Sequence, residues 1–489
     1  MRYISLTKSH FILVAFFLFF SSSSFATLKV QNENFWEEWN KLIYYFDNEF
    51  KINNKYFLLS YNDPSPNKEL LKYLEYINQK KEICKFPARY SLLKKYNIID
   101  IELEKCSSLV EYKKKAKVDS FKYIYATESL SSVTGMLGHG FLMGQSKRED
   151  GSLLQHSYSF FTDLSSANQL TLALDAFVFG LDGIFSLRPY TQDLNKYLNI
   201  EGRDVWELEL DFSIIEVDYL HDLLWELRES YPTYYFQNFN CATITLYLLS
   251  NIRPELLDHE SLFVTPVDIY KSLIKISAVN EMLVHTNNTS VQTRPHKELH
   301  DSIISTDFSQ KNLILSYTPT SHLLRTIKNP ITPSTQLVIG KISLDLTDIK
   351  LRRFDLYSLT GLNNKGLLGG KSVEIFWDNS LFKSSWFLKY NTGKNFEYNG
   401  FNFSILPGFI FKQNGGFLSF STKLVFSKHF HEDIKFVALL EKDFSKDYNN
   451  QDLISFNFSG KMYGKHVLGF NVKKTNYDLN YGLYFDYHF

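Results

Sequence analysis

The C-terminal third of the chain alternates apolar and polar side chains in stretches of roughly ten residues, the length that a tilted membrane strand needs. From Leu453 to Tyr463, Ile454, Phe456, Phe458 and Met462 fall on one side, and Ser455, Asn457, Ser459 and Lys461 on the other. From Phe417 to Phe426, Leu418, Phe420, Leu424 and Phe426 oppose Ser419, Ser421 and Lys423. From Lys465 to Thr475, Leu468, Phe470 and Val472 oppose Gly469, Asn471 and Lys473. A period of two marks a strand whose faces meet different surroundings. Weaker versions run through Val373 to Trp377, Ser385 to Asn391 and Phe401 to Lys412, with turns such as Asn414-Gly-Gly between strands. The pattern predicts an antiparallel β-barrel of roughly eight to ten strands from about Thr335 onward. A soluble sheet with one wet face also alternates, but seldom with an apolar face so aromatic and so repeated.

Ahead of this region the period changes. Trp36, Trp39, Leu42, Ile43 and Phe46 recur at helical spacing, as do Leu70, Leu71, Leu74 and Ile77. Pro87 predicts a break between helices. From about Asp119 the texture becomes mixed. Phe121 to Ala126, Leu153 to Phe161 and Trp206 to Phe212 read as strands, and Val217 to Leu227 and Ala242 to Leu249 as helices. The fold class expected is α+β, in five parts: a signal peptide (1–26), a helical N-terminal region (27–118), an α/β-textured domain (119–295), a polar connector (296–334) and the barrel (335–489).

The signal peptide rests on Arg2 and Lys8, the apolar run Phe11 to Phe20, and the small residues Ser24 and Ala26 at a cleavage site after Ala26. No cysteine lies near that site, so the mature chain is not expected to be a lipoprotein itself. The chain has 489 residues with Lys+Arg and Asp+Glu both totalling 53, and that balance speaks against a nucleic-acid partner. Outside the cytoplasm two of the three cysteines can pair. Cys84 and Cys106 are close in sequence and are the expected disulfide, which leaves Cys241 as a free thiol.

Cys241 and His139 are the candidate chemistry. His139 stands between Gly138 and Gly140, where little bulk shields it, and Cys241 follows Asn240 at a helix start. A helix N-terminus favours a thiolate, and an imidazole that takes its proton completes a cysteine nucleophile. Asn240 is expected to support the site. His156 and Ser159 are candidates to orient the imidazole; they lie on opposite faces of one strand, so at most one can serve. The bland alternatives are a core cysteine and a turn histidine. No metal-ligand cluster is expected, since the closest histidine pair, His429 and His431, reads as a solvated turn.

Four segments carry a resemblance: Cys84-Lys-Phe-Pro-Ala-Arg89, Ser131 to Leu142 around His139, Gly202-Arg-Asp-Val-Trp206, and Tyr234-Tyr-Phe-Gln-Asn-Phe-Asn240-Cys241. Thr293-Arg-Pro295 also fits. Together they resemble the Lnb N-terminal periplasmic domain family, named for bacterial lipoprotein N-acyltransferases. The chain departs from the family loop at Thr134, Gly135 and Leu137, and Ala242 and Thr243 follow the cysteine. The order of histidine before cysteine also resembles circularly permuted papain-like enzymes. The resemblance implies acyl transfer through a thioester on Cys241, without a cofactor, from a phospholipid to a lipoprotein amine. A hydrolase of lipid or cell-wall peptide, a non-catalytic binding module on a barrel, and a plugged transporter are the alternatives. The last strand, with Tyr481, Leu483, Phe485, Tyr487 and Phe489 on one face, resembles the C-terminal signal that the barrel-assembly machinery reads. The expected location is the bacterial outer membrane, with the N-terminal domains in the periplasm.

Overall fold

The computed structural model describes residues 32–488 except 81, 128–137, 163–178, 236–238, 259–263, 287–301, 311, 323–335 and, in barrel loops, 363–369, 380–383, 399–400, 414–417, 432, 445–451, 463 and 476–478. The signal peptide, Thr134, Gly135, Leu137, the Thr293-Arg-Pro295 motif and Phe489 lie outside the described residues.

The described chain opens with helices α1 (Glu33–Leu42), α2 (Pro66–Asn78), α3 (Pro87–Lys95) and α4 (Ser107–Lys115). The Asn32 side chain caps α1 by accepting the Phe35 N–H at 3.2 Å. Phe35, Trp39 and Leu42, one helical stripe, are buried. Pro87 does break the chain, and does so by opening α3 at its first turn, where a missing N–H loses nothing. A disulfide joins Cys84 to Cys106, with Cα atoms 5.3 Å apart.

Arg89 is wholly buried within this region. Its guanidinium donates to Glu69 at 2.6 Å and to the Phe57 carbonyl at 2.9 Å, and lies 3.3 Å from a Glu226 oxygen. The ring of Phe86 sits 3.9 Å below it. Glu69 also accepts from the Leu59 and Ser60 N–H groups and the Ser60 hydroxyl. A charge with this many partners can be buried; an unpaired one cannot. This cluster ties the helical region to Glu226 of the domain that follows and gives the Cys84-to-Arg89 motif a structural role.

A seven-stranded antiparallel sheet follows, with strands β1 (Ser120–Ala126), β2 (His139–Lys147), β3 (Leu153–Thr162), β4 (Leu181–Pro189), β5 (Val205–Leu210), β6 (Thr233–Tyr234) and β7 (Val279–His285). The spatial order is β6-β4-β3-β2-β1-β5-β7. Helix α5 (Tyr190–Asn195) follows β4; α6 (Ile214–Leu227), α7 (Cys241–Ser250) and α8 (Pro266–Lys275) complete the domain. Alternation divides the sheet. Tyr123, Tyr125, Leu142 and Leu208 face the helices, in one apolar core that also holds Phe35, Trp39 and Tyr73 of α1 and α2. Ile124, Ala126, Phe141, Met143 and Val205 form a second cluster on the other face with Tyr190 and Tyr197.

Twelve antiparallel strands then close into a barrel. They are β8 (Ile303–Ser309), β9 (Leu313–Thr318), β10 (Gln336–Asp345), β11 (Lys350–Leu362), β12 (Gly370–Asp378), β13 (Ser385–Tyr398), β14 (Phe401–Lys412), β15 (Leu418–His431), β16 (Ile434–Asp443), β17 (Leu453–Lys461), β18 (His466–Thr475) and β19 (Leu479–His488). Closure runs from Ile303↔His488 to Ser309↔Gly482. The strand count exceeds the sequence-based expectation of eight to ten. The excess includes β8 and β9, which fall within the stretch 296–334 read as a connector.

Along β14, Phe403, Ile405, Phe409 and Phe411 point outward and exposed, while Asn402, Ser404 and Lys412 are buried inside. An outward apolar band with a polar interior is the pattern of a membrane barrel. Twelve strands make a wider barrel than eight to ten would, and buried ion pairs occupy its interior. Lys423 meets Glu374 at 2.6 Å, Lys412 meets Asp443 at 2.9 Å, and Lys389 pairs with Glu441. Among the described residues no helix is long and apolar enough to cross a membrane.

Candidate active site

Cys241 is the first residue of α7, which packs against β2 and β3. Asn240 caps the helix. Its side-chain oxygen accepts the N–H groups of Ala242 and Thr243 at 2.8 and 3.1 Å. In return the Thr243 hydroxyl accepts the Asn240 N–H at 2.7 Å. The Asn240 amide nitrogen donates to the Val264 carbonyl at 3.3 Å. Asn240 therefore fixes the start of α7, the turn that carries Cys241. The hydroxyl of Thr243, the nearest after the cysteine in sequence, is engaged in the same cap.

Three donors surround the Cys241 sulfur: the N–H of Gly140, the hydroxyl of Tyr234 and the N–H of Ala242. Burial pushes the thiol pKa up, and these donors and the Arg203 charge oppose that rise. Close by, the backbones of Tyr235 and Phe239 pair at 3.0 and 3.2 Å, which holds Tyr234 near the start of α7. Gly140 cannot carry a side chain, since a Cβ would fall 2.2 Å from the Tyr123 hydroxyl. That hydroxyl is held by the Pro266 carbonyl at 2.7 Å.

His139 opens β2, directly before Gly140. The sulfur and the imidazole thus attach to neighbouring positions around one strand end. The ring lies on the side of the second cluster, 5.6 Å from Phe141 and 6.0 Å from Tyr197. The contacts described include no hydrogen bond between ring and thiol. Burial, then the charges of Arg203, Lys196 and Arg188, lower the His139 pKa to about 3. The imidazole is therefore neutral at pH 7, in surroundings that oppose its protonation.

The two candidates for orienting the ring both stand on β3. His156 pairs with Gly144, five residues along β2 from His139, roughly 16 Å at the rise of a strand. Ser159 pairs with Ser186 on β4 and is buried without a partner among the described residues. With Leu142 opposite Tyr158, the register sets Ser159 on the face of the sheet that carries Phe141 and His139, and His156 on the helix face.

Arg203 is the site residue that sequence reasoning passed over. It is buried, donates to the Thr127 and Ala126 carbonyls, pairs with Glu201 at 2.9 Å and lies 4.9 Å over the Tyr197 ring. Its field acts on both Cys241 and His139. The signal was the Gly202-Arg-Asp-Val-Trp206 motif, which fixes the end of β1 through Thr127 and Asp204 (N–H to O at 2.9 and 3.0 Å). Tyr234 likewise lies within a motif, and its place at the sulfur is visible only in the fold.

The family model described as the Lnb N-terminal periplasmic domain matches residues 108–276. Among solved structures, the chain is similar to a KdgM porin in complex with disordered oligogalacturonate, at 8% identity over 38% of this chain and 98% of that one, with a TM-score of 0.27. It is similar to the NanC porin at 6% identity over the same shares, with a TM-score of 0.28. The low-pH structure of Pseudomonas putida OprB aligns at 7% identity over 78% of this chain and 95% of that one, with a TM-score of 0.19. A comparison with curated proteins finds no match. Residues 108–276 thus match the Lnb N-terminal periplasmic domain model, and they precede a closed twelve-strand barrel with the outward apolar band of a membrane barrel.

Proposed function

We propose that the periplasmic domain transfers acyl groups through a thioester on Cys241. The observation that carries this reading is the convergence of three hydrogen-bond donors on one sulfur at a helix N-terminus, with a neutral histidine at the position before one of those donors, Gly140. Donors to sulfur favour the thiolate. For the first step, the His139 ring turns about its side-chain bonds toward the sulfur and takes the thiol proton. The thiolate attacks an ester carbonyl of a phospholipid, with the N–H of Cys241 among the helix donors that lack an internal acceptor. The carbon–oxygen bond breaks, and the lysophospholipid leaves with the proton from the imidazolium. A lipoprotein α-amine then attacks the thioester, forms an amide and returns the thiol. With water as second nucleophile the same site is a hydrolase. A barrel keeps the domain beside lipid, which supports the transferase.

The burial and raised pKa of the Cys241 thiol support a second reading, in which the cysteine is inert and the domain binds a partner. Labelling the detergent-extracted full chain with a thiol-directed probe at neutral pH separates the two. The enzyme reading expects labelling of wild type, none of Cys241→Ser, and slowed labelling of His139→Ala. Equal labelling with and without His139, or an unreactive Cys241, rejects it.

A further inference from the structure

An apolar cavity of about 240 Å³ lies between β2, β3 and β4 on one side and α6 and α7 on the other. Three lines lead from it to Cys241. Ile244, Thr245 and Leu248 of α7 line the cavity, and they stand three, four and seven residues after Cys241, on the helical stripe that the cysteine begins. Leu142 lines it from β2; it is the next residue on the face of Gly140, about 7 Å along the strand, and the Gly140 N–H holds the sulfur. Phe160 lines it from β3, with its ring 5.3 Å from that of Tyr234, which also holds the sulfur.

The lining is aliphatic and aromatic, with neutral hydroxyls. Its charged member, Arg228, is partly exposed and stacks on Trp225 at 3.2 Å. No buried charge waits for a polar ligand there, so burial of methylenes is what the cavity can reward. Its volume matches about eight water-sized groups, and a methylene is of similar size.

We infer that this cavity receives the hydrocarbon chain of the acyl group carried by Cys241, and that it encloses about eight carbons. The inference rests on the proposed thioester. It adds the place where the chain lies and a wall residue that sets its length. Leu248 lies two turns from the thiol, roughly 10 Å along the axis, so its bulk decides how far a chain can run.

The test uses the full chain in detergent with p-nitrophenyl butanoate, octanoate and palmitate, reading acylation of Cys241 by mass. Wild type favours octanoate over butanoate. Leu248→Trp lowers the octanoate-to-butanoate ratio by roughly tenfold or more, and Leu248→Ala moves preference toward palmitate. Ratios equal to wild type in both variants overturn the inference. If no ester acylates Cys241, the thioester reading falls, and the cavity is judged alone by radiolabelled octanoate binding to Cys241→Ser protein above a micelle blank. Binding that Leu248→Trp abolishes keeps it as an alkyl-chain site; no binding overturns that too.

Discussion

The backbone N–H of Gly140 donates to the sulfur of Cys241, so the end of a strand and the start of a helix are joined at one atom. This contact requires a residue without a side chain at 140. A methyl there would meet the Tyr123 hydroxyl, which Pro266 holds in place. Gly140→Ala should cost about 1–3 kcal/mol through overpacking and slow Cys241 labelling as β2 shifts from α7. Adding Tyr123→Phe removes the clashing oxygen and should recover part of both losses. If the double variant is no better than the single, steric crowding at this junction is not what the glycine avoids.

Tyr234 is expected to act on the thiol's acidity. Tyr234→Phe removes a donor to the thiolate, an interaction of about 1.5–3 kcal/mol, equivalent to about one to two pKa units. The pH profile for alkylation of Cys241 should therefore move to higher pH in the variant, while its plateau rate above the pKa changes little. An unmoved profile would show that the hydroxyl does not hold the ionised sulfur.

Acid should destabilise the periplasmic domain. His139 and His221 are both lowered to about 3, in each case first by burial, against about 6.5 in an unfolded chain. Between those values the unfolded chain binds protons that the folded one refuses, so stability falls as pH drops from about 6.5 toward 3. Glu226 works in the opposite sense. Burial raises it to about 7 against the attraction of Arg89, so its contribution is full below about 4.5 and is lost as pH rises through about 7. Melting of the full chain in detergent, followed by tryptophan fluorescence of this domain, should show the acid limb. His221→Phe should shrink it. A melting temperature flat from pH 6.5 to 4 would contradict the buried neutral histidines.

Three of the four motifs now divide by task. The Cys84-to-Arg89 motif builds a staple and a buried ion cluster; the Arg203 and Tyr234 motifs build the surroundings of the thiol. The cap at Asn240 was legible because an asparagine ahead of an apolar run has a local meaning. Tyr234 was not, because its place at the sulfur depends on the fold around the pairing of Tyr235 with Phe239. Most barrel strands announced themselves through repeated outward aromatics. In β8, Ile304 and Phe308 are exposed around a short polar segment, and β9 begins Leu-Ile-Leu, which does not alternate. Two apolar positions or an unbroken apolar run carry too little period to be read as a membrane strand.

The barrel's seam lies between its first strand, β8, and its last, β19. The domain bearing Cys241 precedes that first strand in the chain. Every residue of the barrel must therefore have arrived before the edge next to the domain can be covered. Until then Ile303–Ser309 presents unpaired backbone groups, the kind of edge that recruits stray strands. Synthesis order thus exposes the domain's own attachment point for longest. Truncation anywhere in the last strand would leave open the side of the barrel from which the domain hangs.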